Sequence, residues 1–249
     1  MTTLFCVPAS HPSLAAALML DYKGIEYRRI DFAPAVHKVA LRLVGFRGGT
    51  VPALRVDGRR IQGSRAIPRV LDELRPDPPL FPRDADRRAA VEGAEEWGDE
   101  ILQPVARRLA WATLKRDHST LGTFLEDAHL GIPRAVAERS SPPLVLLAAR
   151  LNDVRDDSAR ADLAALPRHL ERVDGWVDEG VLGGSERNAA DFQIATSLGL
   201  LMSFDDLRPA IEGRPAGRLA EDVVTRLPGH VGPALPADWL VPLRQPTAV

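Results

Sequence analysis

Ten consecutive residues, Arg75 to Asp84 (RPDPPLFPRD), hold four prolines. Each proline fixes its own φ and removes a backbone donor, so neither a helix nor a central strand can run through the segment. It reads as a stiff linker, and a chain of 249 residues is long enough to fill a core on each side of it. The expected division is a first domain over 1–76, a linker over 77–85 and a second domain over 86–249.

The two sides differ in texture. Before the linker, short β-prone runs alternate with helical ones. TLFCV (residues 3–7) is a compact apolar strand ending at Pro8, Leu14 to Leu20 is an apolar helix stopped by Gly24, and Ile25 to Asp31 alternates as a half-exposed strand should. Val51 to Val56 and Arg59 to Ile61 flank Asp57-Gly58, a strong two-residue hairpin signal. Ser64 then stands as the cap of a helix reaching about Leu74. The order is β-α-β-α-β-β-α, a small sheet with helices packed on it.

Beyond the linker the pattern is helical throughout. One long helix is expected from Asp84 to Lys115, bent at Pro104, with others over Pro143–Asn152, Ala159–Glu179, Ala189–Ser203 and Ala216–Arg226. Asn188-Ala-Ala-Asp191 has the form of a helix-start box. In the Pro- and Gly-rich tail from Pro228, Trp239 and Leu240 are the plausible anchors.

Composition removes several functions. With 32 basic against 34 acidic residues, nucleic-acid binding by bulk charge is not expected. The apolar runs are too short for a bilayer span and the N-terminus does not read as a signal peptide, so no membrane partner is expected and the cytoplasm is the expected location. A single cysteine, Cys6, leaves no disulfide framework, and the six histidines lack ligand spacing, so no metal is expected. Only Lys23, Lys38 and Lys115 are lysine among the basic residues, a bias of genome composition more than of function.

The chemistry-bearing stretch is FRGGTVPALRVDGRRIQGSRAIPRVLDEL, Phe46 to Leu74. Its Gly49, Val51-Pro52-Ala53-Leu54 and Ser64-Arg65-Ala66-Ile67 resemble, at matching spacings, the N-terminal domain of the cytosolic glutathione transferase superfamily. Val181 to Leu201 (VLGGSERNAADFQIATSLGLL) resembles that family's buried helix with its capping box. The resemblance implies an α/β thioredoxin-like N-terminal domain with a mixed sheet, followed by an all-α C-terminal domain. It also implies a cis Val51-Pro52 bond whose valine offers backbone groups to an extended peptide, with Ser64 at a helix start receiving a carboxylate. Glutathione, or another low-molecular-weight thiol, is the implied co-substrate, held by Val51, Pro52, Ser64 and, through a redrawn turn, Gln62 or Arg65. One departure is plain: the family's acidic residue or Gln before the serine is here Gly63.

Activation of a thiol requires a hydrogen-bond donor that stabilises the thiolate. By the resemblance that donor lies in the loop after the first strand, PASHPSLAA, where His11 aligns with the active position and Ser10 or Ser13 are the alternatives. Each is equally well read as a helix cap. Cys6, inside the strand and without a second cysteine, is expected to be buried structure. The long helix is expected to offer Trp97, Ile101, Gln103, Arg107, Arg108 and Trp111 to a second substrate, a small-molecule electrophile. The family also implies a homodimer. The competing reading is a protein of this fold without catalysis, binding an apolar ligand or a protein partner.

Overall fold

A computed structural model describes residues 1–33, 36–126, 145–147, 149–150, 154–227 and 229–244. The first part is β1 (Thr3–Cys6), α1 (His11–Tyr22), β2 (Arg28–Asp31), α2 (His37–Leu43), β3 (Ala53–Val56), β4 (Arg59–Gln62) and α3 (Ala66–Leu74). The strands form one mixed sheet in the order β2-β1-β3-β4, with β2 parallel to β1 and the other pairs antiparallel. Alternation along β1 sends Leu4 and Cys6 into the core beneath α1 and α3, while Phe5 faces Leu41, Phe46 and Ala53 on the α2 side. The hairpin turn is where it was expected. Asp57 and Gly58 both have positive φ, at 48° and 77°, as a tight two-residue turn requires.

The linker is tied down as well as stiff. Lys23, at the end of α1, is fully buried and donates to the carbonyls of Arg75 and Pro78 at 2.6 Å each, beside the Asp72 carboxylate. Asp72 in turn accepts from the N–H groups of Leu80 and Phe81 at 2.9 and 3.1 Å. A buried ammonium is tolerable only when its hydrogens are met this fully.

The helical part comprises α4 (Ala85–Trp97), α5 (Gln103–Arg116), α6 (Asp156–Asp178), α7 (Ala189–Met202), α8 (Pro215–Val223) and the short α9 (Val241–Arg244). The expected single long helix is in fact α4 and α5 joined by a π-helical turn, Gly98–Leu102, and Pro104 sits in the first turn of α5, where its missing N–H costs nothing. At the turn the backbone comes close to α7: a Cβ on Gly98 would stand 3.0 Å from Ile194. Every residue of α7 is buried, and it packs on α1, α4, α5 and α8. The Asn188–Asp191 box is formed, and Trp239 and Leu240 are buried. Of the helix expected over 143–152, residues 145–147 and 149–150 are described and helical, and the rest lies outside the described residues. No described helix is long and apolar enough to cross a membrane.

Candidate functional site

Two turns of chain converge at one end of β3 and β4. The antiparallel register pairs Ala53 with Gln62, and Gly63 N–H donates to the Pro52 carbonyl at 3.0 Å, so Val51 and Ser64 come next, facing each other. The Val51-Pro52 bond is cis. Val51 is half-buried, and its N–H and C=O have no partner among the described residues. Gln62 is committed elsewhere: its side chain accepts from Gly48 N–H at 2.9 Å and donates to the Thr50 carbonyl at 2.8 Å, which holds the loop leading into Val51. Gly63, at φ 102°, adopts a conformation that side chains rarely take, and nothing lies within 4 Å of where a Cβ would be.

Ser64 does not cap α3. That helix begins at Ala66 behind Arg65, without a side-chain cap bond, and the Ser64 hydroxyl instead donates to Asp99 Oδ1 at 2.6 Å. Arg65 is drawn to Glu96 at 3.1 Å on α4. Asp99 lies on the π turn, and the same Oδ1 also accepts from Gln103 Nε2 at 3.0 Å and Gln193 Nε2 at 3.2 Å. Gln103 Oε1 accepts from Arg107 Nη2 at 2.6 Å. Burial and the neighbouring Arg108 press the Arg107 guanidinium below its ordinary pKa even though Asp99 pulls the other way.

His11 joins this cluster from α1. It is 3 % exposed and its Nε2 has no hydrogen-bond partner. Burial, assisted by the Arg107 charge and opposed by a contact with the Gln103 backbone, pushes its pKa down to about 3, so the ring is neutral near pH 7. Ser10 and Ser13 are placed differently. Ser10 is the N-cap of α1, accepting from Ser13 N–H at 3.4 Å, and the buried Ser13 hydroxyl donates to Ser10 Oγ at 3.0 Å. Both line a cavity of about 230 Å³ that also touches Cys6, whose thiol burial pushes up to about 12. Preceding the cap, Ala9 has φ 59°, the left-handed region, in a turn closed by Ser10 N–H to the Val7 carbonyl at 3.1 Å.

The long-helix residues divide by helical phase. Asp99, Gln103 and Arg107, four apart, point to the first domain. Trp97 packs edge-on against His169 and Trp176 of α6, and Arg108 makes a two-pronged pair with Asp162 of α6 at 2.6 and 2.7 Å. Ile101 is exposed and Trp111 rests half-buried on the core. The structure thus unites Ser64, Gln103, Arg107 and His11 around Asp99, a residue the sequence reading missed. The trace of it in the sequence is the polar spacing 95, 99, 103, 107 along one side of the helical run.

The comparisons agree with this architecture. The family described as glutathione S-transferase, N-terminal domain, matches residues 4–79. A probable maleylacetoacetate isomerase of Caenorhabditis elegans is 28% identical over 156 residues, 55% of this chain and 72% of that protein. Among solved structures, a glutathione transferase of Populus trichocarpa superposes with a TM-score of 0.63 at 16% identity, covering 92% of this chain and 95% of that one. A glutathione S-transferase of Methylobacterium radiotolerans in complex with glutathione sulfonate gives 0.50 at 18% identity, covering 91% and 92%. Residues 4–79 therefore match the glutathione S-transferase N-terminal domain, and the chain as a whole, thioredoxin-like sheet followed by helices, has the fold of these glutathione transferase structures.

Proposed function

We propose that the chain is a glutathione S-transferase-like enzyme that joins a small thiol, glutathione or an analogue, to an electrophile. The observation that carries this reading is the unpaired peptide edge of Val51 facing Ser64 across the β3–β4 register, with a carboxylate behind Ser64. An extended thiol peptide pairs its backbone with Val51, and its amino-acid end meets Ser64. Gly63 carries no charge for the peptide's ammonium. Asp99 supplies it: all three of its hydrogen bonds fall on Oδ1, which leaves Oδ2 for a cation.

Of the three candidate thiol donors, His11 fits best. The Arg107 charge at its ring favours a thiolate, and the tautomer with the proton on the unpaired Nε2 is the one that donates to it. Ser10 and Ser13 are bonded to each other. Cys6, with its thiol pushed up to about 12, is a poor nucleophile at neutral pH. The relative in the isomerase family and the neighbour carrying glutathione sulfonate support the thiol. The same reading expects a cytoplasmic homodimer, joined through the linker 75–81 and the Asp84-to-Trp97 face, and light scattering giving twice 27.1 kDa is the matching observation.

Isothermal titration with glutathione, its S-alkyl derivatives and other small thiols tests the proposal. Saturable binding that Ser64→Ala weakens about tenfold or more is expected, the worth of one charge-assisted hydrogen bond. Silence across the panel rejects it in favour of a non-catalytic protein of this fold.

A further inference from the structure

The two outer strands of the sheet, β2 and β4, each begin with consecutive arginines, Arg28-Arg29 and Arg59-Arg60, and strand alternation sends the members of each pair to opposite faces. On the face covered by α1 and α3 both arginines are matched by carboxylates: Arg29 by Asp31 at 2.9 Å and Arg59 by Glu73 of α3 at 3.0 Å. On the α2 side, Arg28 and Arg60 have no carboxylate partner among the described residues, and neither has Arg55 of β3.

The register sets these three arginines in one line. Arg28 is opposite Thr3, Thr3 opposite Arg55 and Arg55 opposite Arg60, so the four side chains form a single row across all four strands. Two contacts agree with the face: Arg55 stands over the Phe5 ring at 5.7 Å, and Arg60 Nε donates to the Val44 carbonyl at the end of α2 at 3.3 Å. Like charges directly opposite each other destabilise a sheet, and no carboxylate in the row relieves them. Glu26 and Asp57, the acids nearest to them along the chain, make no ion pair with them. In the middle of the row Thr3 is 1 % exposed, and its Oγ1 has no hydrogen-bond partner. A buried hydroxyl left unmet is costly. The excess of cations is regional: residues 1–76 hold twelve lysines and arginines against six acids, in a chain whose net charge is -2.

We propose that this row is a binding site for a small molecule bearing a diphosphate, one phosphoryl group between Arg55 and Arg60 and the other towards Arg28 over Thr3. Neighbouring strands lie about 4.8 Å apart, so Arg55 and Arg60 are spaced to fork a single phosphoryl group. Arg28, two strands beyond Arg55 and so about 10 Å away, is within reach of a second group because both side chains are long. The planar guanidinium matches phosphate oxygens, and the Thr3 hydroxyl supplies one more donor. Val51 and Ser64 stand at the other end of β3 and β4, Val51 four residues before Arg55, about 13 Å along the strand. The row is therefore separate from the thiol site and does not rest on the transferase reading.

The test is calorimetric titration of the full chain with pyrophosphate, at low salt and without thiol. One-to-one saturable binding is expected, with citrate, a polyanion of carboxylates alone, weaker by about fivefold or more. Arg28→Gln, Arg55→Gln and Arg60→Gln are each expected to weaken pyrophosphate about tenfold while circular dichroism stays native, and Thr3→Val about threefold. Arg59→Gln removes the same charge from the opposite face and is expected to leave the affinity within about twofold. No saturable binding of pyrophosphate overturns the site. Equal binding of citrate overturns its preference for phosphate. An equal loss in Arg59→Gln reduces the effect to net charge and overturns the row, as does undiminished binding in whichever of the three row variants is natively folded. Undiminished binding in Thr3→Val removes the hydroxyl from the site. Loss of pyrophosphate in Ser64→Ala overturns its separation from the thiol site, whereas binding by a chain that ignores every thiol upholds it.

Discussion

Two aspartates, one at a helix start and one inside a helical run, show how differently one side chain is used. Asp191, at the beginning of α7, is fully buried and has both oxygens taken by backbone: Oδ1 by Gly183 N–H at 2.7 Å, Oδ2 by Asn188 N–H at 2.8 Å. Asp99, on the π turn, spends one oxygen on three side chains and none on backbone. A carboxylate closed off by peptide N–H groups fixes the chain and offers nothing further. One held by side chains on a single oxygen is positioned and still has binding capacity. The first belongs to folding, the second to the site.

Removing each charge should separate the two roles. Asp191→Ala strands two buried N–H groups and removes the cap of the central helix, so a stability loss of about 3 kcal/mol is expected in urea unfolding, with glutathione affinity intact in the folded fraction. A uniform loss of binding with no loss of stability would erase the distinction.

His11 tests the region between them. Its folded pKa, about 3, lies below the unfolded value near 6.5, so the unfolded chain binds the extra proton throughout that window. Stability contributed by the neutral ring is complete above pH 6.5 and falls as pH drops towards 3, by up to about 1.4 kcal/mol per pH unit. In His11→Asn the stability curve between pH 6.5 and 4 should be flatter than in the native chain. Identical curves would mean that the ring is hydrated and free to protonate.

Asp99→Asn is the mildest change and the sharpest probe. The amide keeps the Oδ1 acceptor and loses the charge, so unfolding should shift by less than about 0.5 kcal/mol while glutathione binds about tenfold more weakly. S-alkyl glutathiones, which retain the same ammonium, should lose the same factor. A thiol without an amino group, such as mercaptopropionate, should lose nothing.

What could be read from the sequence follows how local each signal is. The Asp57-Gly58 hairpin and the Asn188–Asp191 box are each written within ten residues, and each is found where it was expected. The Val51–Ser64 facing pair follows from a hairpin register that is equally local. Asp99 was out of reach because its partners are 35 and 94 positions away and because a π turn has no composition of its own. Ser64 was misassigned as a helix cap for the same reason: the stronger acceptor comes from another domain. Ser10, His11 and Ser13 were found together, but only the phase of α1 against the rest of the fold separates the histidine's surroundings from those of the serines.

The π turn carries one residue more than a regular helix would need over the same rise. Deleting a single residue from Gly98–Leu102 would therefore restore an ordinary helix and leave α4 and α5 in nearly their present phase. Gln103, Arg107 and Arg108 would keep their directions, and what would go is the wide turn that carries Asp99. A deletion of one residue is thus absorbed here by the scaffold and felt by the site, whereas the same deletion in a regular stretch of α5 would turn everything after it by about 100°.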